Sequence, residues 1–375
     1  MDIIKVLQEE LQIGYKQAEA AVSLIDEGNT IPFIARYRKE ATGSLNDEVL
    51  RNLDERLKYL RNLEEKKEQV ISSIREQEKL TPELEKQILE AMTMVAVEDL
   101  YRPYRPKRRT RAMIAKEKGL EPLADLIWLQ QIKEPVEGLA RAYVSEEKQV
   151  ASEAEAVAGA RDILAERISD QADYRSYIRK ITMDRGMIAS SAKDGEIQSV
   201  YEMYYQYEEL IKRCAGHRIL ALNRGEKEKV LTVKIQAPEE DIIRYLEKQV
   251  ITRNNPFTVP ILQETIRDSY DRLIGPAIER EVRSALTENA EAGAIKVFGK
   301  NLQQLLMQPP IAGQVVLGWD PAFRTGCKLA VVDPTGKVLD TAVIYPTAPQ
   351  NKVEESKRTL KQMIKKYHIS LISVG

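Results

Sequence analysis

Residues 315–336 read VVLGWDPAFRTGCKLAVVDPTG. Two apolar runs of four to six residues, each closed by an aspartate and separated by a Gly-containing loop, are the pattern of two adjacent buried strands. Asp320 ends the first run, and a carboxylate at a strand tip is where α/β folds often place chemistry. Downstream, VLDTAVIYP reads as a third strand, NKVEESKRTLKQMIKKYHI as a helix and SLISVG as a fourth strand. The predicted order is β-β-β-α-β.

Almost everything before Pro310 has helical periodicity. Ile3, Ile4, Leu7 and Leu11, then Ala18, Ala21, Val22 and Ile25, mark two amphipathic helices. Gly28-Asn29 breaks the chain, Thr30 and Pro32 suit the start of a third helix, PFIARYRKEA, and Gly43 suits its end. Arg36, Tyr37, Arg38 and Lys39 could form the exposed face of a recognition helix, although a hairpin used only for packing has the same pattern. A long helix is predicted from Asn46 to about Lys79, with Leu50, Leu53, Leu57 and Leu60 at heptad spacing, interrupted at Glu64 and Lys67. Such a helix is expected to act as a strut.

The stretch LYRPYRPKRRTRAMIAKEK places Arg102, Arg105, Lys107, Arg108, Arg109, Arg111, Lys116 and Lys118 against one nearby acid, Glu117. Pro103 and Pro106 predict an extended start. Tyr101 and Tyr104 interleave with the arginines, which suits phosphate contacts and base stacking. The competing reading is a loop salt-bridged to acidic helices. Further helices are expected over 121–215, and the Tyr-rich run from Tyr201 is read as core. RILAL and VLTVKI, flanking NRGEKEK, predict a two-stranded insert with Arg218 and Arg224 available to phosphates.

Composition narrows the function. The 375 residues suffice for several domains, and 57 Lys plus Arg balance 58 Asp plus Glu, so any nucleic-acid site must be a local cluster. Two separated cysteines, Cys214 and Cys327, argue against a disulfide scaffold and for a reducing, cytoplasmic setting. No apolar run is long enough to span a membrane, and neither histidine has partners at zinc-ligand spacing, so neither membrane nor metal nor cofactor is expected.

The β-β-β-α-β order is how ribonuclease-H-like folds begin, and there a first-strand Asp helps to hold Mg²⁺ with carboxylates from later strands. Here those partners are missing. Asp333 sits in Asp-Pro-Thr-Gly, a turn sequence, and Glu354 and Glu355 suit a helix first turn. Asp320 is therefore read as a vestigial candidate, and catalysis is not expected.

Four blocks, EGNTIPFIARYRKEATGSLND (27–47), EDLYRPYRPKRRTRAMIAKEKGLEPLA (98–124), HRILALNRGEKE (217–228) and GWDPAFRTGCKLAVVD (318–333), resemble the Tex family of bacterial transcription accessory proteins in family order. The resemblance implies a mainly α, multi-domain, elongated helical body with an N-terminal helix-turn-helix-like unit and a small β insert, followed by an incomplete ribonuclease-H-like (YqgF-like) module. The parts expected along the chain are 1–75, 76–215, 216–310 and 313–375, and the resemblance implies an N-terminal fragment cut within the YqgF domain. It further implies a cytoplasmic RNA- or DNA-binding scaffold engaging nucleic acid and the transcription machinery. The alternatives are a metal-dependent nuclease or resolvase, and a docking module for RNA polymerase or a ribosome-associated partner.

Overall fold

The computed structural model describes residues 1–106, 109–194, 196, 198–309, 311–322 and 324–375. It falls into two compact units, Met1–Ala294 and Ile295–Gly375. Helices dominate the first, as the periodicity requires.

The first unit begins with α1 (Ile3–Leu11), α2 (Tyr15–Asp26), α3 (Ile31–Tyr37) and α4 (Asp47–Glu76). Asp2 caps α1 by accepting from the Lys5 amide, and Asn46 caps α4 by accepting from that of Val49. All four heptad leucines are buried, packing with Leu7, Ala18, Ala21 and Ile34. The helix then changes partners. Leu63, Val70, Ile71 and Ile74 join Ile88 and Val97 of α5 (Pro82–Glu90) and α6 (Met94–Tyr101) in a second core. At the interruption noted in the sequence, Lys67 is 1% exposed, and its Nζ donates to the Leu89 carbonyl at 2.8 Å and pairs with Glu64. One 30-residue helix therefore serves two cores.

The remainder of this unit packs around α10 (Glu153–Ser169). It follows α7 (Arg111–Glu117), α8 (Glu121–Leu129) and α9 (Val136–Ala140) and precedes α11 (Ala172–Arg185). Ala156, Ala160, Ile163, Leu164 and Ile168 of α10 are buried, and the small side chains let neighbouring helices approach. Then come β1 (Met187–Ala192), β2 (Gln206–Leu210), α12 (Gly216–Lys227), β3 (Leu231–Gln236), α13 (Glu239–Val250), α14 (Val259–Ser269) and α15 (Gly275–Leu306). A π-helical turn over Tyr270–Ile274 links the last two helices.

Here the structure corrects one expectation. The run RILAL is not a strand but lies inside α12, where Ile219, Leu222 and Gly225 are buried at threefold spacing. A short continuous apolar run fits either state, and tertiary packing decided for helix. VLTVKI does form β3, but it pairs with β1, in an antiparallel sheet of order β2-β1-β3. The small β part is thus three-stranded. The tyrosine run contributes Tyr201 and Tyr204 to the core.

The second unit contains β4 (Val316–Asp320), β5 (Cys327–Val332), β6 (Val338–Ile344), α16 (Val353–Tyr367) and β7 (Leu371–Val374), in the order read from the sequence. The sheet order is β6-β5-β4-β7, antiparallel except for the parallel β4–β7 pair that the helical crossover makes possible. Leu317, Leu329, Val331 and Ile344 pack against Met363 and Leu360 of α16. Among the described residues no helix is long and apolar enough to cross a membrane.

Candidate nucleic-acid interface

The helical hairpin over 15–47 presents the first candidate cluster. Helix α3 is shorter than expected: it stops at Tyr37, with Arg38 at its cap, and the chain turns through 38–44. The turn is held from both sides. The Thr42 hydroxyl, buried, donates to the Arg38 carbonyl at 3.1 Å, while Gln17 Nε2 of α2 donates to the carbonyls of Thr42 and Gly43 at 3.2 and 3.0 Å. Ile34 anchors the short helix in the core, and Arg38 lies over the Phe33 ring at 5.1 Å.

Arg36, Arg38 and Lys39 are exposed, and Tyr37 between them is 66% exposed. Among the described residues none of the three cations has an ion-pair partner. The patch is carried on a helix end and a pinned turn, not along a recognition-helix face. The one acid adjoining it in sequence, Glu40, is also exposed, so three cations face one carboxylate.

The basic stretch at 102–118 behaves differently. Pro103 and Pro106 do not hold it extended: the amides of Tyr104 and Arg105 both donate to the Tyr101 carbonyl, at 2.9 and 3.0 Å, so the chain turns. Its two rings are partly buried. Tyr101 is hydrogen-bonded to Ser73 at 3.0 Å, and both Tyr101 and Tyr104 pack against the α4–α6 core. Acids meet the cations, from neighbouring turns for Arg105 with Glu98 (3.7 Å), Arg109 with Glu117 (2.9 Å) and Lys116 with Glu121 (2.7 Å), and from distant positions for Arg102 with Asp170 (3.4 Å) and Lys118 with Glu155 (2.6 Å). The charge of Arg111 acts on the carboxylates of Asp162 and Asp268. Lys107 and Arg108 lie outside the described residues.

Arg102 also borders a buried charge network. Arg175 donates to Asp99 and Glu281, and Arg179 binds the same two carboxylates. Burial, and then the Arg175 charge, push the Arg102 guanidinium below its ordinary pKa. This network joins α6, α11 and α15, and the sequence offered no sign of it.

On α12, Arg218 is committed to Glu209, reaching both carboxylate oxygens at 2.8 and 2.9 Å. The hydroxyl of Tyr207 donates to the same carboxylate, which is held below the usual range while the Arg218 pKa rises. Arg224 is exposed and has no ion-pair partner among the described residues.

In the second unit Asp320 ends β4, as expected. The β4–β7 register sets Trp319 beside Val374, and the Gly375 amide, just past β7, donates to the Trp319 carbonyl at 2.9 Å, which brings Gly375 beside Asp320. On β5 it faces Lys328. Asp333 is tied into its own turn: it accepts from the Thr335 hydroxyl and amide (2.7 and 2.8 Å) and the Lys337 amide (3.0 Å), which lower its pKa. Among the described residues no three His, Cys, Asp or Glu side chains are grouped to hold a metal ion.

Three cations on α16, Arg358, Lys361 and Lys365, escaped the sequence reading, which weighed only the acids of that helix. Their spacing of three and four residues was the available signal.

Three family models match the chain in order: the Tex-like protein N-terminal domain over residues 1–75, the Tex central region-like model over 131–298 and the Tex protein YqgF-like domain over 314–375. The chain is 41% identical to protein tex of Bordetella pertussis, covering 100% of this chain and 49% of that protein. It is 40% identical to the transcriptional accessory protein Tex of Neisseria gonorrhoeae, covering 100% of this chain and 50% of the relative. The human S1 RNA-binding domain-containing protein 1 is 32% identical over 100% of this chain and 39% of its own length. The chain thus spans about half the length of the two bacterial relatives.

Proposed function

The chain belongs to the Tex family of transcription accessory proteins, and from that premise we propose that it is a scaffold that grips nucleic acid through phosphates and does so without catalysis. The observation that carries the reading is the exposed, net-basic cluster Arg36, Arg38 and Lys39 on a turn pinned by Gln17. Guanidinium and ammonium groups free of internal acids bind phosphate without first breaking an ion pair. Tyr37 adds an open ring to the same patch, which suits an unpaired base.

The name of the human relative, which records an RNA-binding domain in that protein, supports nucleic acid as the ligand class. In this reading the cytoplasmic transcription machinery is the setting, and Arg224 is a secondary contact. Arg102, Arg105, Arg109 and Arg218 already face carboxylates, and in this reading their phosphate role is minor. The commitment of Asp333 to its own turn supports a structural role for that carboxylate in the YqgF-like strands.

The test is the salt dependence of binding to labelled single-stranded RNA, single-stranded DNA and duplex by the full chain. The variant R36Q/R38Q/K39Q should lower the slope of log affinity against log salt by about 2 to 3, since each phosphate contact contributes about 0.7 to 0.9. An unchanged slope would place the contacts elsewhere.

A further inference from the structure

The 15-residue helix α16 turns Leu360, Met363 and Tyr367 toward the sheet. At ~100° per residue, Arg358, Lys361 and Lys365 fall within an arc of about 60° on the opposite side. All three are exposed, and among the described residues none has an ion-pair partner. The other basic residues nearby are engaged: Lys352 with Glu355, Lys357 with Glu354, and Lys366 with Asp340. The stripe is about 10 Å long at 1.5 Å per residue.

Two general causes of basic helix faces account for little of this. A cation near a helix C-terminus is favoured by the dipole, but only within the last turn, which covers Lys365 and leaves Arg358 and Lys361 unexplained. Like charges three and four residues apart disfavour the helix that carries them, and Glu354 and Glu355, four and three residues before Arg358, offset only its share, so the stripe adds little to the stability of α16. The anchoring contacts lie on other positions: Tyr367 donates to Asp340 at 2.8 Å, and Ser356 to the Lys352 carbonyl at 2.7 Å.

We infer that the solvent face of α16 is a second phosphate-binding surface, in which Arg358, Lys361 and Lys365 track the backbone of a nucleic-acid strand. The inference takes nucleic acid as the ligand class from the function proposed above. A linear row of unpaired cations suits a linear polyanion, whose neutralised phosphates release counterions. A membrane surface fits less well, because Leu360, Met363 and Tyr367 of α16 are spent on the sheet and only Val353 and Ile364, at opposite ends of the helix, are open, at 40% and 37%.

The experiment compares wild type, R358Q/K361Q/K365Q and R36Q/R38Q/K39Q as full chains. Labelled single-stranded and duplex oligonucleotides are titrated between about 50 and 200 mM salt. For the α16 variant the slope should fall by about 2 to 3, with a melting temperature close to that of wild type, since relieved like-charge repulsion and lost attraction to Glu354 and Glu355 offset one another. A wild-type slope in the α16 variant, with a reduced one in the 36–39 variant, overturns this inference and leaves the proposed function standing. The reverse pattern supports α16 and removes the 36–39 patch. Slopes unchanged in both, or no salt-dependent binding by wild type, overturn both. Polyglutamate is the control competitor: if it displaces the oligonucleotide from wild type as well as unlabelled nucleic acid does, the stripe reads acidic protein and the inference fails.

Discussion

Arg175 and Asp99, 76 positions apart, meet at 2.8 Å with the arginine side chain wholly buried. Arg179 and Glu281 close the network around them. Breaking a buried pair by removing one partner strands the other charge, at a cost of about 3 to 5 kcal/mol. Because Arg179 still serves both carboxylates, Arg175→Met should cost about 3 kcal/mol in urea denaturation. In a double-mutant cycle with Asp99→Asn the two losses should fall short of additivity. A loss below about 1 kcal/mol would mean that the network does not hold α6, α11 and α15 together.

Gly225 tests the helical reading of 216–227. A Cβ there would lie 2.6 Å from Leu231 Cδ1, 2.9 Å from its Cγ and 3.2 Å from the Tyr201 ring, and both neighbours are buried. Glycine to alanine in a helix normally gains up to about 1 kcal/mol, whereas overpacking costs about 1 to 3. Gly225→Ala should therefore destabilise the chain by about 1 to 2 kcal/mol in the same denaturation experiment.

Arg283 of α15 binds Glu226 through two bonds, of 2.6 and 3.1 Å, and also reaches the Val233 carbonyl and Asn223. Burial raises the Glu226 pKa but Arg283 outweighs it, so the carboxyl titrates below its ordinary value of 4.5. A lowered pKa gives stability that is present above 4.5 and is lost as pH falls through the folded-state value. Thermal melts should show Glu226→Gln less stable than wild type at neutral pH, with the gap closing as the solution is acidified below that point.

The ion-paired stretch gives the reciprocal binding prediction. Arg105→Gln with Arg109→Gln removes two cations already facing Glu98 and Glu117. The salt slope for nucleic acid should change by less than one contact, about 0.7 to 0.9. A fall of two contacts would return the interface to this loop.

Asp320 is exposed and makes no ion pair among the described residues. Asp320→Asn should leave stability within about 0.5 kcal/mol. Neither form should cleave labelled nucleic acid in Mg²⁺ or Mn²⁺. Cleavage by wild type that Asp320→Asn abolishes would establish the nuclease reading instead.

Where the pattern was local and regular, it was legible. Leu50 to Leu60 announced α4, Asn46 its start, and Asp333 its turn, because each depends on residues within a few positions. The β-β-β-α-β order from 315 onward was likewise readable. RILAL was not, since four apolar residues suit a strand or a buried helix equally, and the packing of Ile219, Leu222 and Gly225 against the core separates them.

The candidate site divides along the same line. Sequence alone determined that cations cluster in 36–39, 102–118 and 218–229. It also determined that the segment from 315 onward folds as strands around Asp320. The tertiary structure decided which of those cations are already spent, because Arg102 meets Asp170 and Arg218 meets Glu209 across turns and elements that periodicity does not encode. It also decided that Gly375 lies beside Asp320, since strand register is a pairing between distant residues. A helix face follows from a repeat of 3.6 residues, but the compensation of a charge depends on which opposite charge the fold brings within a few ångströms.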